Sequence, residues 1–123
     1  MQEDNNPFGP VIYSYSRKQA IADGVLVDLT QFKIIRDQWK MPMACTDAVW
    51  SIVDQAVSHG KDLAGVLHDI GTMARHAIHA KKDNTDTIHF QVVIRCDTHS
   101  LKLHCGPGDT PVPVLTLMLK DES

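Results

Sequence analysis

The sequence predicts an α+β domain: a mainly antiparallel sheet, two or three helices packed on one face, and a C-terminal three-stranded meander. Three observations carry this prediction. Towards the C-terminus, "IHFQVVIR" and "LKLHC" alternate apolar with polar residues, "VLTLMLK" sets Leu at every second position, the period of a strand, and turn residues separate them. In the middle, two stretches place apolar residues three and four apart, the period of a helix. Near the start, a short helical pattern lies between two β-branched runs and makes a β-α-β unit.

The elements follow in chain order. Residues 1–10, "MQEDNNPFGP", are polar and then rich in Pro and Gly. They predict a flexible N-terminal segment, with Phe8 tucked against the body, ahead of one domain over residues 11–123. "VIYSY" reads as a strand. Ser16 is placed to cap a helix over Arg17 to Asp23, and Gly24 stands where a helix end needs φ > 0. "VLVDL" is the second strand, with Val25, Val27 and Leu29 on one face and Leu26 and Asp28 on the other. "TQFKIIRDQWK" predicts a short helix from the spacing of Phe32, Ile35 and Trp39, stopped before Pro42.

Thr46 is the next N-cap candidate, with Asp47 in the first turn where the helix dipole favours an anion. Val49, Trp50, Val53, Ala56 and Val57 make the apolar stripe of that helix, and Gly60 ends it. From Asp62 a second stripe begins, formed by Leu63, Leu67, Ile70, Ala74, Ala77 and Ile78, and it runs to about Lys82. Gly65 and Gly71 each weaken this helix by about 1 kcal/mol relative to Ala, so close packing on a neighbour is their expected reason. "KKDNTDT" is a turn. Ile88, Phe90, Val92 and Ile94 face inward on the next strand, "CDTHS" turns the chain, and Leu101, Leu103 and Cys105 face inward on its partner. "GPGDTPVP" is a longer connection with Pro107–Gly108 at its bend, and Leu115, Leu117 and Leu119 close the core.

A chain of 123 residues is long enough to bury a core without a metal or disulfide staple. Its formal charge of −3 argues against a broad nucleic-acid or anionic-membrane surface. No apolar run approaches the roughly 18 residues of a membrane span, and the N-terminus has no basic and apolar regions of a secretory signal. Three cysteines, an odd number, fit free thiols in a reducing compartment. The expectation is a cytoplasmic protein.

Three segments, "FGPVIYSYSRKQAIADGVLVDLT", "PMACTDAVW" and "GPGDTPVPVLTLML", together resemble a family of small proteins encoded on bacterial plasmids, conjugative elements, phages and similar mobile DNA. The resemblance covers nearly the whole chain. It implies a genetic context, an accessory protein of a mobile element, and it carries over no functional residue. The chain is shorter than usual members around "MARHAIHAKKDNTDT" and "CDTHSLKL".

Several constellations invite chemistry. His68, Thr72, Arg75 and His79 recur along one side of the second long helix, with His76 beside them. His76 and His79, at i and i+3, have chelate spacing, but no HExxH pattern accompanies them. Cys96, His99, His104 and Cys105 fall within ten residues, yet His104 and Cys105 point to opposite faces of a strand. Cys45 precedes a helix N-terminus, a position that lowers a thiol pKa where the thiol is exposed beside a cation. The opening β-α-β unit echoes the start of ADP-ribosyltransferase-like folds, without a later catalytic Tyr or Glu to match. "GPGD" lacks the Lys and following helix of a phosphate loop, and Asp121 and Glu122 read as a tail. No catalytic, cofactor or metal residue is assigned.

The expected function is therefore a non-catalytic protein-interaction module that modulates a host defence or transfer system. Its candidate surface comprises Tyr13, Tyr15, Arg17, Trp39, His76 and His79, and the same reading includes self-association through a sheet edge as a homo-oligomer. A small enzyme acting on a nucleotide or NAD-like ligand is the alternative. A nucleic-acid binder using Arg17, Lys18, Arg75, Lys81 and Lys82 is a weaker one.

Overall fold

The computed structural model describes residues 16–81 and 85–122. The expected strand "VIYSY", with Tyr13 and Tyr15, lies outside the described residues, as do Phe8 and Lys82.

Helix α1 spans Arg17–Ala22. Ser16 caps it as expected, its hydroxyl accepting from Gln19 N at 2.9 Å. Gly24, at φ +80°, reverses the chain after the helix. Strand β1 covers only Leu26–Asp28, shorter than the predicted "VLVDL". Asp28 stops it: its carboxylate accepts from Thr30 N at 2.9 Å and opens a 3₁₀ turn over Leu29–Gln31. Leu29 is buried in that turn, whereas Val25, which alternation places on the same face, is 48% exposed.

Helix α2 covers Lys33–Gln38. Strand β2, Met43–Thr46, has no counterpart among the predicted elements. Four residues are too few to display a period, and "MPM" signals only an interruption. Tertiary partners make the strand. Thr30 Oγ1 accepts from Met43 N at 2.8 Å and donates to Met43 O at 3.2 Å, and Leu115 N donates to Pro42 O at 2.8 Å. Helix α3, Asp47–Ser58, follows directly, with Thr46 as its cap. Val49, Val53 and Ala56 are buried, Val57 is exposed, and Trp50 stacks on Phe32 with ring centroids 5.9 Å apart.

Helix α4, Leu63–Ala80, is capped by Asp62. Its two glycines differ. A Cβ on Gly71 would lie 2.0 Å from Gln38 Oε1, so Gly71 admits α2 closely, as expected. Gly65 faces only the side chain of its own cap, Asp62, and close packing on a neighbour is not its reason.

Strands β3, Thr87–Ile94, and β4, Asp97–Pro107, form a hairpin whose register runs from Thr87 opposite His104 to Ile94 opposite Asp97. Its loop is Arg95–Cys96, at φ 57° and 77°. The turn thus falls earlier than "CDTHS". Paired positive φ values mark a type I′ turn, which usually advertises itself by Asn-Gly, and neither residue here gives that signal. Strand β5, Pro113–Leu119, completes the meander. The sheet order is β1-β2-β5-β4-β3, antiparallel throughout except for the parallel pair β2–β5.

Strand alternation sorts the sheet into two faces. Val27, Met43, Cys45, Leu101, Leu103, Leu115 and Leu117 join the core with residues of α2, α3 and α4. These three helices cover one face, as predicted. Leu26, Thr46, Thr116 and Met118 point the other way, and α1 crosses to that side, where Arg17 reaches Thr116.

Candidate functional site

Two regions stand out on this frame: a cleft on the α1 side of the sheet, and the outer edge of β3. The cleft has a volume of about 490 Å3 and lies between α1, the β1–β2–β5 part of the sheet and the connection from β4 to β5. Its lining draws on three separate segments of the chain, residues 8–30, 42–50 and 106–119. The first supplies Ser16, Arg17 and Leu26, the second Thr46 and Asp47, and the third Pro107, Asp109, Thr116 and Met118.

Arg17, one of the six candidate surface residues, lies within the cleft. Its Nη1 donates to Thr116 Oγ1 at 2.9 Å and its Nη2 donates to Leu115 O at 2.7 Å. Burial lowers the pKa of the guanidinium, opposed by the charges of Asp28 and Asp109. Asp109, from "GPGD", accepts from Arg17 N at 2.7 Å and from Lys18 N at 3.0 Å. It shares the cap of α1 with Ser16 and brings a carboxylate to the positive end of the helix. In the sequence "GPGD" signals only a turn. A cap supplied from 92 residues away leaves no spacing signal.

Glu122 is the other such residue. Its sequence context is that of a tail, yet its carboxylate accepts from Thr46 Oγ1 at 2.7 Å and Leu119 N at 2.8 Å, and its carbonyl accepts from Lys102 Nζ. These bonds tie the C-terminal residues across β2, β4 and β5. The hydrogen-bonding groups at the floor and rim of the cleft are thus largely committed to one another, and the arrangement binds segments of this chain together. Cys45 stands on the opposite face of β2 from the cleft, fully buried. Burial first, then the charges of Glu122 and Asp47, push its thiol from 9.0 up to about 12. The position is the reverse of an activated thiolate.

The remaining candidates are scattered. His76 and His79 are exposed on α4. Among the described residues, no three His, Cys, Asp or Glu side chains come together in a way that would hold an ion. His68 Nδ1 lies 3.7 Å from Asp69 Oδ1, an ion pair when the imidazole is protonated. Cys96 is exposed in the hairpin loop and Cys105 half-buried. Trp39 is half-buried against the core, with its Nε1 buried and without a hydrogen-bond partner beside Gln38 Oε1, which is in the same state. Both atoms border the space above Gly71. Trp39 is therefore a packing residue of the α2–α4 contact rather than part of an exposed aromatic patch. Arg17 and Lys18 lie on the opposite side of the sheet from Arg75 and Lys81, so these cations do not form one basic surface.

The edge of β3 has a different character. Among the described residues β3 pairs only with β4, and its other side carries no strand. Eight residues, "TIHFQVVI", contain no Asp, Glu, Lys, Arg or Pro. Val93 is 60% exposed on it, and His89 and Gln91 are exposed beside it. Its hydrogen-bond direction follows from the hairpin. A two-residue loop makes Ile94 and Asp97 a hydrogen-bonded pair, and Cys105 N donates to Asp86 O at 2.8 Å. Alternation between these fixed points turns the backbone groups of Ile88, Phe90 and Val92 to β4. Those of Thr87, His89, Gln91 and Val93 point outward.

Comparison of the chain with protein-family models, with curated proteins and with solved structures finds no match in any of the three. No helix among the described residues is long and apolar enough to cross a membrane.

Proposed function

We propose that the protein is an interaction module, an accessory protein of a mobile genetic element that takes up a protein partner by strand addition at β3. The observation that carries this reading is the uncharged, eight-residue edge with four residues' backbone donors and acceptors directed outward. Proteins ordinarily blunt such an edge with charge, Pro, a bulge or brevity, and strand addition is the recognition mode that uses it. The genetic context rests on the resemblance of the three segments quoted above. Their meeting around a single cleft supports treating them as one structural unit, since each contributes bonds that hold the others.

The test is a paired capture experiment in the bacterial host, with the native chain and a His89→Lys/Gln91→Lys variant as baits. Both substitutions fall on exposed positions and put charge beside the outward-facing backbone. A protein retained by the native chain and lost by the variant supports the reading. Equal retention by both baits refutes it.

A further inference from the structure

Resting on the strand-addition reading, we infer that the occupant of the β3 edge is a second copy of this chain, paired antiparallel about Phe90. Four features of the strand argue for a copy of itself. First, the outward-directed residues are Thr87, His89, Gln91 and Val93, and an antiparallel copy centred on Phe90 sets Thr87 opposite Val93 and His89 opposite Gln91. Every outward donor then meets an outward acceptor, and none is left over. Second, the same register places Ile88 opposite Val92 and Phe90 opposite its own copy, so the helix-covered faces of the two sheets continue into each other. Ile88, half-buried at the end of the strand beside Ala77 and Ala80, gains cover from Val92 of the other copy. Third, Val93, at 60% exposure the most open large apolar residue of the sheet among the described residues, is covered on the opposite face by Thr87 of the copy. Fourth, the chain carries a net charge of −3, which opposes self-association in general, but the paired strands bring no formal charge against its like. Shifting the register by one residue would set outward groups against inward ones and the two sheet faces out of phase. A two-fold axis through Phe90 closes the assembly at two copies, joining the five described strands of each into one continuous sheet and leaving no further β3 edge.

Pairing of this one strand covers less than the roughly 800 Å2 per partner of a standard interface, so dissociation in the micromolar range is expected. The experiment is sedimentation equilibrium of the full chain from about 5 to 500 micromolar, a range that brackets such an affinity, with residue-resolved amide exchange at both ends. The expected result is a monomer–dimer equilibrium. As the dimer fills, exchange slows at Thr87, His89, Gln91 and Val93, while Ile88, Phe90, Val92 and Ile94 are slow at every concentration. A half-labelled sample gives intermolecular contacts between Ile88 and Val92 across the axis. The His89→Lys/Gln91→Lys variant, whose four lysines would face each other in two adjacent pairs, weakens the dimer at least about tenfold while keeping its circular dichroism.

A monomer across the whole range overturns the inference, as does a dimer indifferent to those lysines. So does slow exchange at the four outward amides that does not depend on concentration, which would mean that other residues of the same chain cover the edge. The two readings fail separately. A monomer whose captured partner is lost on His89→Lys/Gln91→Lys refutes self-pairing and retains strand addition. A dimer unaffected by these substitutions, with partner capture also unaffected, refutes both.

Discussion

The two edges of the sheet are built by opposite rules. At one end, β1 is three residues long, carries Asp28, and breaks at once into a 3₁₀ turn, with α1 folded back beside it. At the other end, β3 runs for eight residues without a charge, a proline or a bulge. The first edge shows the devices by which proteins prevent unwanted strand pairing. The second omits them all. Among the described residues one edge is defended and the other is open for the full length of its strand, so the usable surface lies at β3 rather than in the cleft beside α1.

The polar groups tell the same story from the other side. Around the cleft, Arg17, Asp109, Thr116, Thr46 and Glu122 hold one another and the backbone. Substitutions there are expected to damage the body of the protein, whereas substitutions on the β3 edge are expected to alter association alone. The largest effect should come from Arg17→Ala. It removes two bonds from a charged donor and leaves Thr116 and the Leu115 carbonyl less satisfied, costing about 2–3 kcal/mol in urea unfolding. A loss below roughly 0.5 kcal/mol, the ordinary surface value, would remove the distinction between cleft and edge.

Next comes Cys45. Its thiol titrates near 12 in the folded chain and near 9.0 when unfolded, so above pH 9 the unfolded state gives up the proton that the folded state retains. Folding stability contributed by this group is complete below pH 9 and falls as pH rises towards 12, by about 1.4 kcal/mol per pH unit. Unfolding titrations at stepped alkaline pH should show the slope in the native chain and a shallower one in Cys45→Ala. Equal slopes would contradict the assignment. Thiol labelling at neutral pH sharpens the point: Cys96 should react first, Cys105 more slowly, and Cys45 only on unfolding.

Asp109→Ala should cost about 1 kcal/mol, the usual value of a helix cap, and should loosen α1 specifically, as seen in faster amide exchange at Arg17 and Lys18. The smallest change in stability belongs to His89→Lys/Gln91→Lys, within about 0.5 kcal/mol because both side chains are exposed. That near-silence in unfolding, set beside a large loss of association, is the sharpest form of the contrast between the two regions.

Much of the body was legible in the sequence because its signals are local. Ser16, Gly24, Thr46 and Gly60 mark helix ends through bonds and φ values set within a few residues. The stripes of α3 and α4 and the alternation of β3, β4 and β5 follow from burying one face. The hairpin loop was displaced because Arg95 and Cys96 adopt positive φ without the usual residues for it. Trp39 looked like a surface aromatic because sequence spacing cannot show that Gly71 leaves room for it 32 residues later in the chain.

By itself, then, the sequence determined which segments are helices and strands and which of their faces turn inward, since period and capping are properties of neighbouring residues. Only the tertiary structure decided that Met43–Thr46 is a strand, that Asp109 caps a helix 92 residues earlier, that Glu122 is anchored, and that β3 lies at the rim. Each of these depends on a partner distant along the chain, and a hydrogen bond between distant segments leaves no periodic trace in either one.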